Sequence, residues 1–82
     1  MFSSEVIRSF NELETAIYQY ICQNGEKVVY MRIRELADET HVSTATIQRF
    51  CKKINCDGFS EFKIKLKMYL TEEKKLPIKN AE

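Results

Sequence analysis

Apolar residues recur at helical spacing along most of the chain. Phe2, Val6 and Phe10 form an i, i+4, i+8 stripe with Ile7 beside it, and Leu13, Ala16, Ile17, Tyr20 and Ile21 make a second apolar face. Ile33, Leu36 and Ala37 make a third, Val42, Ile47, Phe50 and Ile54 a fourth, and Phe59, Phe62, Leu66 and Tyr69 a fifth. Start and stop signals fall between the stripes. Ser3 or Ser4 can cap the first helix, and Asn11 with Glu14 three residues on is a capping-box start for the second, which Asn24-Gly25 should end with Gly25 left-handed. Arg32 opens the third where Ser or Thr would cap better, although Glu35 supplies the return half of a capping box. Ser43 caps the fourth, over Thr44 to Ile54; Asn55 or Gly58 can take the positive φ that closes it, and a fifth helix begins at Ser60. Glu26 to Met31, containing KVVYM, reads as a short strand or an apolar loop. No partner strand is visible, so the loop is favoured and a winged arrangement loses support.

The break between the third and fourth stripes is the most informative stretch. Thr40, His41 and Val42 are too few for an ordinary linker and too poor in helix formers to extend the preceding helix, so the chain must bend there. Ala37 sits where two crossing helices come closest, and Val42 can fill the wedge between them. The bend requires a residue with positive φ, a position that suits Gly and that His41 occupies at a strain of about 1 kcal/mol. The expected fold is all-α, a compact five-helix bundle over residues 1–70 containing a homeodomain-like helix-turn-helix, followed over 71–82 by a linker or disordered tail with a charge cluster and Pro77.

Eighty-two residues make one small domain. No apolar run approaches the roughly 20 residues of a membrane span and no signal-peptide core is present, so a cytoplasmic protein without membrane contact is expected. Cys22, Cys51 and Cys56 are odd in number and form no CxxC pair, and His41 is the single histidine, so neither a disulfide framework nor a metal site is expected. Reduced, partly buried thiols are the simpler reading. Paired carboxylates on a rigid scaffold, a Gly-rich phosphate loop and a nucleophile-base pair are all missing, so no enzyme, catalytic residue or cofactor is expected. Net charge is only +1, but it is unevenly placed: residues 1–42 carry four basic and seven acidic side chains, whereas 43–69 carry six basic and two acidic. The positive half contains the second helix of the turn unit, where phosphate would be met.

At 100° per residue, burying Ile47, Phe50, Cys51 and Ile54 turns Ala45, Gln48, Arg49 and Lys52 outward together. Arg can pair with guanine and Gln with adenine, and Ala45 allows close approach to a thymine methyl. Ser43, Thr44 and Thr46 at the helix start suit phosphate or base contact, Lys52 and Lys53 suit phosphate, and Arg32 and Lys63 are possible further phosphate contacts. Each has a plainer reading. Ser43 is first a cap, Arg32 can be merely a poor one, and Lys63, Lys65 and Lys67 are as well explained by a solvated face. Ile64 and Met68 lie opposite the core face of the fifth helix, as ordinary exposed residues or as a contact with another subunit or domain.

The segments NELETAIYQYICQN, IRELADE, STATIQRFCKKI and GFSEFKIKLK resemble the N-terminal DNA-binding domain of the RpiR family of transcription regulators, over roughly Phe2 to Leu70. The combination S-x-x-T-I-x-R-F with G-F-S-E-F-K carries more specificity than a lone helix-turn-helix. Ser43, Thr46 and Arg49 match the pattern residue for residue, while His41 stands where Gly, and Arg32 where Ser or Thr, is usual. The resemblance implies a five-helix bundle, a homodimer on a palindromic operator in double-stranded DNA, and control, usually repression, of sugar or amino-sugar genes. It also implies a C-terminal domain that binds a sugar-phosphate effector, which these residues would lack as a fragment. The alternative is a protein-interaction or dimerisation module without base readout, using Ile64, Met68 and the first helix.

Overall fold

The computed structural model describes residues 2–81, with side chains described over 2–72. Its five helices are α1 (Ser4–Arg8), α2 (Glu12–Val28), α3 (Ile33–Thr40), α4 (Thr44–Lys53) and α5 (Phe59–Ala81), and there is no strand among the described residues. The expected all-α architecture is therefore the observed one. α5 continues past residue 70 to Ala81. The linker or tail expected over 71–82 falls largely on side chains outside the described residues.

The helix starts are set by short-range chemistry. Ser3, not Ser4, caps α1, accepting from the Val6 amide at 3.2 Å. At α2 the capping box is complete: the Glu14 amide donates to Asn11 Oδ1 at 2.8 Å, and the Asn11 amide donates to Glu14 Oε1 at 2.9 Å. α3 has only the return half, since the guanidinium of Arg32 has no acceptor; the Arg32 amide donates to Glu35 Oε1 at 2.8 Å. α1 itself has no fully buried residue, and its Val6 and Ile7 are half-buried. It acts as a bracket, with Phe2 and Phe10 on either side packing their rings against Phe50 at centroid distances of 6.2 and 5.1 Å.

Two expectations for α2 are corrected. Asn24-Gly25 does not end the helix: Asn24 leaves helical geometry (φ −131, ψ 32), the backbone kinks, and α2 resumes to Val28. Gly25 is not left-handed. Its missing side chain instead admits Leu70 of α5, whose methyl carbons lie 3.3 and 3.4 Å from where a Cβ would stand. The Asn-Gly pair therefore marks a kink at a close helix crossing, and KVVYM becomes a last helical turn with a tight exit in place of an apolar loop. The apolar face is also rotated from the expected one. Leu13 is 49% exposed and Ala16 is exposed, while Glu14 joins Ile17, Ile21 and Val28 on the buried side.

Glu14 is buried because it serves two elements. Besides the Asn11 amide, it accepts from Lys53 Nζ of α4 at 2.8 Å. Burial alone would raise its carboxyl, but the bonds from Lys53 and Asn11, helped by the positive field of Lys53 and Arg49, outweigh that and hold it below its ordinary value of 4.5. A depressed folded-state value stabilises the fold above the unfolded value and is lost as pH falls through the folded one. The wild-type chain is thus expected to lose stability as pH drops below about 4.5. In Glu14→Gln that acid-side slope should flatten, which urea titrations at stepped pH would measure.

The bend forms as the sequence requires. His41 is left-handed (φ 59, ψ 40), and the Val42 amide reaches back to the Ala37 carbonyl at 3.0 Å, which is the long bond of a Schellman closure. Ala37, Ile47 and Phe50 are buried where α3 and α4 pack. Because His41 is exposed and carries a Cβ in this region, His41→Gly is expected to raise stability by about 0.5–1 kcal/mol in a thermal melt. After α4 it is Asn55 (φ 66), not Gly58, that turns left-handed. The Cys56 amide then donates to the Cys51 carbonyl at 2.9 Å. Cys51 and Cys56 are buried free thiols, and burial pushes Cys51 up to about 12.

Candidate nucleic-acid interface

α4 is held on three sides before any of its outward residues is considered. Ser43 caps it, accepting from the Thr46 amide at 3.1 Å. Ile47, Phe50 and Cys51 are fully buried, with Phe50 also meeting Phe62 of α5 edge-on at 6.3 Å. Lys53 ties its far end to α2 through Glu14 and to the end of α1 through the Ser9 carbonyl, each at 2.8 Å. Lys52 and Lys53 in its last turn also complement the negative end of the helix. A helix fixed in this way presents its open face in a single orientation.

That open face carries Thr44, Ala45, Gln48, Arg49 and Lys52, all exposed, with Ser43 at its start. Three of the expected contact residues are placed differently. Thr46 is 8% exposed, and its hydroxyl lies 3.0 Å from Ser43 Oγ and accepts from Arg49 Nη2 at 3.3 Å. It lies under the face and steadies Arg49. Lys53 is committed to Glu14 and Ser9, so its charge is already neutralised within the fold. Lys63 donates to the Met31 carbonyl at 3.0 Å and lies over the Phe59 ring at 5.0 Å, an arrangement that staples α5 to the α2–α3 connection. Lys53 and Lys63 each found a partner distant in the chain, which helical periodicity cannot reveal, whereas Thr46 is turned inward and bonds Ser43 and Arg49 three residues to either side.

Arg32 is exposed and lines an open groove with Gln48 of α4, with Gly58, and with Phe59, Ser60 and Lys63 at the start of α5. Asp57 and Glu61 also border the groove, with the Asp57 amide hydrogen-bonded to the Glu61 carboxylate. Two features here go beyond the sequence reading: Ser60, which the sequence offers only as a helix start, borders the groove, and Gln48, a candidate adenine contact, also accepts from the Phe59 amide through its amide oxygen at 3.1 Å. The Gly-Phe-Ser run at a helix start was the available signal for the first. For the second there was none. On the far side of α5, Ile64 and Met68 are 62% and 58% exposed.

Comparison with known families decides what this arrangement belongs to. The model described as "Helix-turn-helix domain, rpiR family" matches residues 4–73. The chain belongs to the rpiR family of helix-turn-helix domains. This rpiR-family domain is 38% identical over 69 residues to an HTH-type transcriptional regulator of Caldanaerobacter subterraneus, covering 84% of the chain and 24% of that protein. It is 34% identical over 67 residues to one from Clostridium perfringens, covering 82% of the chain and 24% of the relative. It is also 34% identical over 56 residues to the HTH-type transcriptional regulator HexR of Pseudomonas aeruginosa, covering 68% of the chain and 20% of HexR. The chain therefore spans a quarter or less of the length of these curated relatives. No solved structure matches it. No helix among the described residues is long and apolar enough to cross a membrane, and none of their His, Cys, Asp and Glu side chains gather in a group that could hold a metal ion.

Proposed function

We propose that this domain binds double-stranded DNA sequence-specifically, with α4 in the major groove, as the DNA-reading part of a transcription regulator that is not itself an enzyme. The observation that carries the reading is Arg49: exposed at the centre of the open face and oriented by the buried Thr46 hydroxyl, it is a pre-organised fork for a guanine edge. Thr44, Ala45 and Gln48 flank it on the base-facing side, while Ser43, Lys52 and Arg32 are left to meet phosphate. Lys53 and Lys63 are assigned to the fold. A homodimer reading two half-sites of a palindromic operator, about one helical turn apart or a multiple of that, fits a helix-turn-helix of this kind. By resemblance, the whole regulator would act in the cytoplasm as a repressor of sugar or amino-sugar genes, with a sugar-phosphate effector held by a C-terminal domain.

The test is affinity for operator duplex as a function of salt. With Arg32, Arg49 and Lys52 meeting DNA, log affinity should fall against log salt with a slope of about −2 to −3 per copy. A flat dependence would replace this reading with the protein-interaction module, for which the exposure of Ile64 and Met68 is the supporting observation.

A further inference from the structure

We propose that Gln48 reads the major groove as a hydrogen-bond donor only, and so selects guanine over adenine at the base it faces; this rests on the DNA-reading function above. A side-chain amide reads adenine by pairing both of its ends at once, the oxygen accepting from the N6 amino group and the nitrogen donating to N7. Both ends must then turn outward together. In this fold they do not. The Phe59 amide donates to Gln48 Oε1 at 3.1 Å, and because a backbone N–H is a donor, the end of the side chain that meets it has to be the oxygen. The missing side chain of Gly58 leaves room for that oxygen, since a Cβ added there would stand only 3.2 Å from it. Gly58, which has ordinary negative-φ geometry, is thus useful here for its missing side chain. The oxygen is turned in against the start of α5, and the NH₂ group is the end left for a partner outside the fold.

The bond also has a reason to persist. Phe59 is the first residue of α5, and its amide has no carbonyl one turn earlier to receive it. Gln48 therefore acts as a cap supplied from another helix, and turning its oxygen toward DNA would leave that amide unpaired beside the buried Phe59 ring. A donor-only amide suits guanine, whose O6 and N7 both accept. Against adenine it satisfies N7 alone and leaves the N6 donor without a partner. Adenine in place of guanine at that position should weaken binding by about five- to tenfold, the lower part of the range for a well-made base contact.

The experiment is enrichment of bound duplexes from a random pool by the full chain and by Gln48→Ala, Gln48→Glu and Arg49→Ala variants, with thermal melts of each. The proposal expects one position in each half-site to be guanine for the wild type and to relax for Gln48→Ala. Gln48→Glu keeps an oxygen for the Phe59 amide but exchanges the donor for an acceptor, so it should melt close to wild type and prefer cytosine, whose N4 group donates. Gln48→Ala should melt a few degrees lower. Adenine at the position that relaxes, no position that relaxes, or a Gln48→Ala melt equal to wild type would each overturn the inference. Enrichment that depends on Arg49 but not on Gln48 overturns it while leaving the DNA-reading function standing. No enriched sequence for the wild type overturns both.

Discussion

Truncating Phe50 to alanine is expected to destabilise the domain by about 3–5 kcal/mol, the range for removing a fully buried ring. Phe50 is fully buried on the inner face of α4. Its ring meets Phe10 at 5.1 Å, Phe2 at 6.2 Å and Phe62 at 6.3 Å, so the residues on either side of α1, together with α5, converge on it. Alanine there removes the transfer energy of a ring and leaves a cavity whose walls are themselves rings fixed by other helices, which limits collapse. A domain of this length has only about 4–12 kcal/mol in hand, so the variant should be partly unfolded at room temperature or melt tens of degrees lower. Urea titration followed by circular dichroism measures the effect directly. A loss below about 1 kcal/mol would show that the aromatic cluster is not what fixes α4 in place.

Arg49→Ala is expected to act in the opposite way, on binding and not on folding. The side chain is exposed, and its hydrogen bond to Thr46, at 3.3 Å, is long, enough to orient the guanidinium but of little weight for the fold. Stability should therefore move by no more than about 0.5 kcal/mol. Affinity for the selected operator should fall by about 1–3 kcal/mol, or roughly five- to 150-fold, with a smaller loss on unrelated duplex. Fluorescence anisotropy at fixed salt on the two duplexes separates the cases. An equal loss on both would make Arg49 a phosphate contact; an unchanged affinity on both would remove it from the interface. Together the two substitutions test the same division of labour in α4, whose buried side sets its position and whose open side does the reading.

Most of the helical framework was legible because it is decided by residues three or four apart. Asn11 with Glu14, Ser43 with Thr46, and the left-handed closure at His41 each complete themselves within one or two turns, so the order of residue types carries them. The outward placement of Ala45, Gln48, Arg49 and Lys52 follows from the same periodicity once Ile47 and Phe50 are known to be buried. Where a local signal had two physical uses, the reading failed. Asn24-Gly25 can end a helix or open a close crossing, and only the approach of Leu70 selects the second.

By itself, then, the order of residues determined that this chain is five helices with an abrupt bend before α4, and which face of α4 looks outward, since those outcomes depend on caps, propensity and a 3.6-residue repeat. Only the tertiary structure decided which polar groups on and around that face serve the fold. Lys53 finds Glu14 across 39 positions, Lys63 finds the Met31 carbonyl across 32, and Gln48 finds the Phe59 amide across 11. A hydrogen bond is settled by distance in space, and a few ångströms between helices determine whether a lysine or an amide serves the fold or is left for DNA.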